Sequence, residues 1–173
     1  MSTDVIFPEN FGPNQGYPRN IVNMIYNISD CIVSTTLGEG WGLSWVEAMA
    51  TKTPVIMPGN TALIENITEE RGWLAKSGAD TSHFTVVPHD NEIVRPLVDV
   101  DDMVEKMLEV YNNPAEAKRR AENAYNWVVT QMEWQNSIVP QWVKLFEEEY
   151  EKINAGMPVD LPTDSKVIDA ESF

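Results

Sequence analysis

The chain has 173 residues, of which 43% are hydrophobic, and a formal net charge of −15 at pH 7. This length and hydrophobic content suit one folded domain and exclude a disordered chain. The acidic excess makes nucleic acid an improbable partner, because that binding depends on Lys and Arg, and the apolar runs fall short of the roughly 20 residues of a transmembrane segment.

The first half of the chain alternates short apolar runs with helical patterns. Strands are predicted at Val5-Ile6-Phe7, Cys31-Ile32-Val33 and Pro54-Val55-Ile56-Met57. Helices are predicted over about 20–28, from the glycine-rich turn to about residue 50, and over about 61–67. This alternation predicts βαβ units, and hence an α/β fold with a Rossmann-like parallel sheet flanked by helices.

The second half of the chain is predicted to be mainly helical. Small strands at Gly72-Trp73-Leu74 and Phe84-Thr85-Val86-Val87 precede an irregular loop over 88–96. Helices follow over 99–111, from Pro114 to about Val128, and over 140–153. Asn113 is expected to be the N-cap of the second, with Glu116 placed for a capping box. We expect residues 1–154 to form one domain and residues 155–173 to be an acidic tail of little order.

The most informative stretch is Ser34–Ala50, which runs from an apolar strand through a glycine-rich turn into a helix. Gly40 and Gly42 let the backbone approach a ligand closely, and the start of the helix offers unpaired N–H groups and a partial positive charge. Glu39 and Glu47 bracket the turn, and carboxylates are good acceptors for sugar hydroxyls. The combination of an anion-binding helix start with two carboxylates indicates a ligand in which a sugar is attached to a phosphate.

This stretch closely resembles the donor-binding half of retaining GT-B glycosyltransferases of family 4, a group that includes many lipopolysaccharide and capsule enzymes. The hallmark is two glutamates separated by seven residues, here Glu39 and Glu47 around Gly40-Trp41-Gly42-Leu43-Ser44-Trp45-Val46. Ala48-Met49-Ala50 and the strand Thr53-Pro54-Val55-Ile56 follow as in the family. Gly59 and Asn60 stand where the family has paired glycines, and Glu65 matches the acidic residue after them.

The resemblance implies a role for each residue of the turn. Glu39, which the resemblance assigns as the catalytic residue, would accept a hydrogen bond from the transferred sugar. The backbone at Gly40 and the N–H groups of Trp41, Gly42 and Leu43 would meet sugar hydroxyls and phosphate oxygens. Ser44 would donate its N–H to the diphosphate, and Glu47 would bind the ribose hydroxyls.

The expected reaction is transfer of a sugar from a nucleoside diphosphate sugar with retention of configuration, without a cofactor or metal. Charge builds up on the leaving diphosphate, so N–H groups aimed at it are the main stabilisation that this segment could supply. The family's basic diphosphate clamp and its acceptor domain have no counterpart that we can match here. The resemblance therefore covers part of a GT-B protein, and a second chain or domain would supply the acceptor site.

Alternatives remain open at this point. The chain could be a noncatalytic module that binds a nucleotide-sugar, or an interaction protein that keeps only the fold. Gly40 and Gly42 could form a tight turn without a ligand, and Trp41 and Trp45 could pack in the core as readily as stack on a base or sugar.

The start of the chain and its cysteine content indicate a compartment. Met1-Ser2-Thr3-Asp4 lacks the basic and apolar stretches of a secretory signal, and the single Cys31 has no partner for an internal disulfide. We therefore expect a cytoplasmic protein.

Overall fold

A computed structural model describes residue 6 and residues 16–88 and 92–156. Most of the strand predicted at Val5-Ile6-Phe7 lies outside the described residues, as does the tail from residue 157 onward. The domain limits 1–154 and 155–173 therefore stay predictions. Within the described residues, the chain divides into two compact units, one ending at Val129 and the other beginning at Thr130.

The first unit is a mixed α/β structure. Its elements are α1 (Arg19–Ile28), β1 (Ile32–Val33), α2 (Leu43–Ala50), β2 (Val55–Pro58), α3 (Leu63–Asn66), β3 (Trp73–Ala75), β4 (Phe84–Val86), β5 (Val94–Pro96), α4 (Val100–Asn112) and α5 (Pro114–Trp127). Three strands form a parallel sheet in the order β1-β2-β3. Ile32 pairs with Val55 and Ile56 pairs with Trp73. The predicted α/β fold with a parallel sheet is confirmed.

The core lies around the central strand, β2. All four of its residues are buried, as expected for a parallel strand covered on both faces. Helix α2 packs against β2, α1 and α5, and helix α4 packs against β2, β3 and α5. Trp45, Met49 and Leu63 are each 0% exposed and complete the packing.

The prediction of an irregular loop over 88–96 is wrong for the last three of these residues. Val94–Pro96 forms β5, which pairs antiparallel with β4 so that Arg95 lies opposite Thr85. The strand is only three residues long and ends in proline, so neither its length nor its composition gives a strand signal. The Leu97 backbone fixes this hairpin to the end of β3, because its carbonyl oxygen accepts the Gly78 N–H at 3.1 Å.

The predicted capping box at the start of α5 is also wrong, although Asn113 is the N-cap and Pro114 the first helical residue. The Asn113 side chain donates to the Glu109 carbonyl oxygen at 3.0 Å. Glu116 instead accepts from Arg119 at 2.7 Å and from Arg120 at 2.8 Å. These hydrogen bonds hold the pKa of Glu116 at about 2. Charged donors on the same helix face are stronger partners than a neutral backbone N–H.

The second unit is helical. It contains a π-helical segment, Trp134–Ile138, and the helix α6, Val139–Asn154, while another π-helical segment, Val128–Met132, spans the division. The Glu133 side chain accepts the N–H groups of Asn136 and Gln135, and these bonds lower its pKa. None of the helices in the described ranges combines the length and apolar character needed to cross a bilayer.

Asp102 joins helix α4 to the end of strand β3. Its side chain is 7% exposed and accepts the Lys76 N–H at 2.8 Å, and the Lys76 ammonium lies at 3.3 Å. Burial disfavours the charged form, but these two interactions with Lys76 outweigh it and lower the pKa of Asp102. Asp102 thus stabilises the fold above its unfolded pKa, and this contribution is lost as the pH falls through the lowered value.

We predict that Asp102→Ala lowers the free energy of unfolding at pH 7 by about 1–3 kcal/mol, because the Lys76 N–H loses its acceptor. Urea denaturation measures the change. Asp101→Ala is the matched control, since Asp101 is exposed in the same helical turn. Equal effects of the two changes would contradict this role of Asp102.

Candidate functional site

Three loops meet at the carboxyl edge of the parallel sheet. They follow β1, β2 and β3, and parallel strands end at the same edge, where ligands bind in open α/β sheets. Hydrogen bonds join the loops directly, since Glu39 bonds to Thr61 and Asn60 bonds to Ser77. The sequence-predicted site residues that follow β1 and β2 therefore belong to one connected edge.

Glu39 is held at this edge through its backbone and its side chain. Its N–H donates to Thr61 Oγ1 at 2.9 Å, and its carbonyl oxygen accepts the Ala62 N–H at 3.4 Å. The Thr36 hydroxyl donates to Glu39 Oε1 at 2.9 Å. The carboxylate is thus half-buried and oriented by the chain itself.

The turn after Glu39 depends on the conformation of Gly42. Gly42 is the N-cap of α2, with a left-handed backbone (φ 85°, ψ 80°). A Cβ at this position would lie 2.5 Å from Nε1 of the Trp45 indole, and 3.4 Å from Glu39 Cγ. A Cβ at Gly40, by contrast, would meet no atom within 4 Å. The two glycines therefore differ, because the protein's own packing requires only Gly42.

Helix α2 begins with its N–H groups open. Within the described residues, the backbone N–H groups of residues 40–44 donate to no acceptor of the chain. Leu43 is 70% exposed, and Ser44 is exposed beside it. This helix end carries a partial positive charge, so it can accept an anion from solvent.

Glu47 lies one turn into α2 and contacts helix α1. The Tyr26 hydroxyl donates to Glu47 Oε2 at 3.1 Å. Burial and the Glu47 carboxylate together raise the pKa of Tyr26 to about 12. Tyr26 therefore keeps its proton and orients an exposed carboxylate that retains a second oxygen for a ligand.

The two tryptophans of the turn have different environments. Trp45 is 0% exposed, donates its indole N–H to the Trp41 carbonyl oxygen at 2.7 Å and stacks on Trp127 with ring centroids 6.1 Å apart. Trp41 is 40% exposed beside it. Trp45 is a core residue, whereas Trp41 presents an aromatic surface at the turn.

The loop after β2 has a geometry that differs from the sequence expectation. Asn60 stands where the family has the second of two paired glycines, but the positive φ of this loop, 46°, belongs to Thr61. Asn60 is buried and uses its side chain, donating to Ser77 Oγ at 2.9 Å. Glu65 lies on α3 with its side chain exposed.

Sequence reasoning missed Arg95 as a neighbour of the turn. A Cβ at Gly38 would lie 3.6 Å from Arg95 Nη1, so the guanidinium reaches the loop that carries Glu39. Three strands separate the two residues along the chain, and the β4–β5 hairpin, which Leu97 fixes to the segment after β3, brings them together. Within the described residues, no group of three or more His, Cys, Asp or Glu side chains could hold a metal ion.

Comparison with known proteins identifies the family of this chain. Residues 21–139 match the family model described as "Family 4 Glycosyltransferase in conflict systems", which is more than half of the chain. The chain belongs to this family. The match includes the glycine turn, both bracketing glutamates and the five strands found among the described residues.

This family 4 glycosyltransferase chain also resembles a solved structure, the C-terminal domain of a glycosyl transferase group 1 family protein (LpcC) from Francisella tularensis. The TM-score is 0.51 at 24% sequence identity, and the match covers 70% of this chain. The chain spans 53% of that solved domain. This likeness shows the fold, a mixed α/β structure of the GT-B C-terminal type. No curated protein matches the chain.

The geometry of the turn predicts opposite outcomes for its two glycines. We predict that Gly42→Ala lowers the free energy of unfolding by at least about 2 kcal/mol, because an alanine there has a left-handed backbone and clashes with Trp45. Gly40→Ala should change it by less than about 0.5 kcal/mol. Thermal unfolding of both variants measures the difference. Equal destabilisation by Gly42→Ala and Gly40→Ala would contradict the conclusion that packing requires a glycine at residue 42 but not at residue 40.

Proposed function

We propose that this edge of the sheet binds the donor of a glycosyl transfer, a nucleoside diphosphate sugar. The observation that carries the proposal is the open N-terminus of α2, which comes between Glu39 and Glu47 in the chain, two carboxylates that other side chains orient. An anion and a set of hydroxyls are the ligands that such donors and acceptors match. A nucleoside diphosphate sugar contains both within one molecule.

Each residue has a proposed part in this site. Glu39 accepts a hydroxyl of the transferred sugar, and Glu47 accepts the ribose hydroxyls. The N–H groups of Trp41, Gly42, Leu43 and Ser44 bind sugar hydroxyls and the diphosphate. Gly40 has open space around it, which supports close approach of a ligand to the backbone at this point.

We propose that Arg95 adds the positive charge that a diphosphate requires. Its guanidinium lies beside Gly38, at the loop that leads into the turn. The chain carries a net charge of −15, so an anion must be held by local groups against the overall field. Arginine suits this part because its donors match phosphate oxygens in pairs.

The proposed reaction is transfer of the sugar with retention of configuration. Charge develops on the leaving diphosphate, and the N–H groups and Arg95 would stabilise it without a metal. Each such donor is worth about 3 kcal/mol of transition-state stabilisation in comparable sites. We propose that a second domain or chain supplies the acceptor site, and that the reaction takes place in the cytoplasm, where the single Cys31 stays reduced.

The direct test is calorimetric titration with UDP, GDP, UDP-glucose and GDP-mannose. We predict that Glu47→Ala weakens binding of the preferred nucleotide by about 1–3 kcal/mol, because charged hydrogen bonds to the ribose are lost. Glu122→Ala, which changes an exposed carboxylate on α5, is the control for net charge. Unchanged affinity in Glu47→Ala would remove the ribose assignment.

Arg95 is tested by comparing ligands with and without phosphate. We predict that Arg95→Ala weakens UDP or GDP binding by about 1.5–3 kcal/mol and leaves the weak binding of uridine or guanosine unchanged. The control is Arg119→Ala, because Arg119 pairs with Glu116 and Glu70 on another part of the first unit. An equal loss for nucleoside and nucleotide would mean that Arg95 acts on the fold.

A further inference from the structure

A chain of hydrogen bonds connects Glu39 to the end of the sheet and to the β4–β5 hairpin. The Glu39 N–H donates to Thr61 Oγ1 at 2.9 Å, and the Thr61 hydroxyl donates to Asn60 Oδ1 at 3.1 Å. Asn60 Nδ2 then donates to Ser77 Oγ at 2.9 Å, and the Ser77 hydroxyl donates to the Leu97 carbonyl oxygen at 3.1 Å. Each group donates to the next, so the chain has a single direction.

This chain is buried at its centre. Asn60 is 7% exposed and Ser77 is 3% exposed. The Asn60–Ser77 bond is buried, so a shift of either residue leaves a donor or acceptor unpaired, whereas Thr61 and its bond to the Glu39 N–H are exposed. Movement of the loop after β1 relative to the end of β2 would break the Glu39–Thr61 bond, and movement between the ends of β2 and β3 would break the Asn60–Ser77 bond.

Thr61 holds its place in this chain despite an unfavourable backbone. Its φ of 46° lies in the left-handed region, which β-branched residues rarely adopt. Glycine or asparagine would occupy that backbone at lower cost, but glycine has no hydroxyl to accept the Glu39 N–H. Backbone strain of this kind persists where the surrounding structure holds it, and it clusters at ligand sites.

We propose that Thr61 and Asn60 are positioning residues for Glu39, which set its carboxylate for the transferred sugar. The inference rests on the proposed function of Glu39 as the sugar-binding carboxylate. Neither residue is required to touch the ligand, since Thr61 acts through the Glu39 backbone and Asn60 acts through Thr61. Glu47 is not part of this chain of hydrogen bonds, because its contact is with Tyr26 on α1.

The separation of Glu39 from Glu47 gives the test its selectivity. Thr61→Val keeps the shape of the side chain and removes the hydroxyl, whereas Thr61→Ser keeps the hydroxyl. We expect Thr61→Val to weaken binding of UDP-glucose or GDP-mannose about threefold to tenfold, with UDP or GDP binding unchanged. Thr61→Ser should bind all four ligands as the unchanged protein does.

A double-mutant cycle with Glu39→Ala distinguishes positioning from a general effect on the fold. If Thr61 acts by orienting the Glu39 carboxylate, Thr61→Val should have no further effect on nucleotide-sugar affinity once that carboxylate is gone. An equal effect of Thr61→Val in both backgrounds, or an equal loss for nucleotide and nucleotide-sugar, would overturn the proposal. So would a Thr61→Ser variant as weak as Thr61→Val.

Asn60→Ala provides a second route should Thr61→Val fail to fold, since it removes the acceptor of the Thr61 hydroxyl. The same selective loss for nucleotide-sugars is expected, together with faster hydrogen exchange of the Glu39 amide; normal affinity and exchange would overturn the proposal. Failure of the unchanged protein to bind any of the four ligands would instead overturn the proposed function, so the two failures are distinguishable.

Discussion

The contact between the Trp45 indole and the backbone of Gly42 is the constraint on which the site depends. The indole occupies the space that a Cβ at residue 42 would need, donates to the Trp41 carbonyl oxygen and stacks on Trp127. Only glycine can adopt the left-handed conformation of residue 42 under this packing. Helix α2 consequently begins at Leu43, and within the described residues its first N–H groups have no acceptor.

Electrostatics at this edge are local. A chain with a net charge of −15 repels anions at long range, but salt screens that field beyond about 10 Å. The positive end of α2 and the guanidinium of Arg95, which lies beside Gly38, contribute positive charge at this edge. The acidic groups that would oppose it, Glu39 and Glu47, accept hydrogen bonds from Thr36 and Tyr26. These two hydroxyls orient the carboxylates.

The three loops at the carboxyl edge are joined through side chains rather than through the sheet. Glu39, Thr61, Asn60 and Ser77 form a directional series that ends at Leu97, next to the hairpin that carries Arg95. Glu39 and Arg95, the cation beside the turn, are therefore fixed to the same framework.

The amino-acid sequence by itself determined the α/β fold and its parallel sheet, because these depend on local patterns. Apolar runs such as Val55–Met57 and the glycine turn between two glutamates can be seen without knowing any distant contact. The family match and the solved domain agree with that fold. The individual roles of Glu39, Glu47 and the turn residues stay predictions.

Tertiary structure alone decided which residues serve the fold and which are open to a ligand. Gly40 and Gly42 look equivalent in sequence, yet only Gly42 faces an indole. Asn60 appeared to replace a glycine, but the strained backbone belongs to Thr61, and Asn60 is a buried hydrogen-bonding link. Arg95 and Tyr26 reach the site across long stretches of chain. Such contacts depend on how strands and helices pack, and no local sequence pattern encodes that.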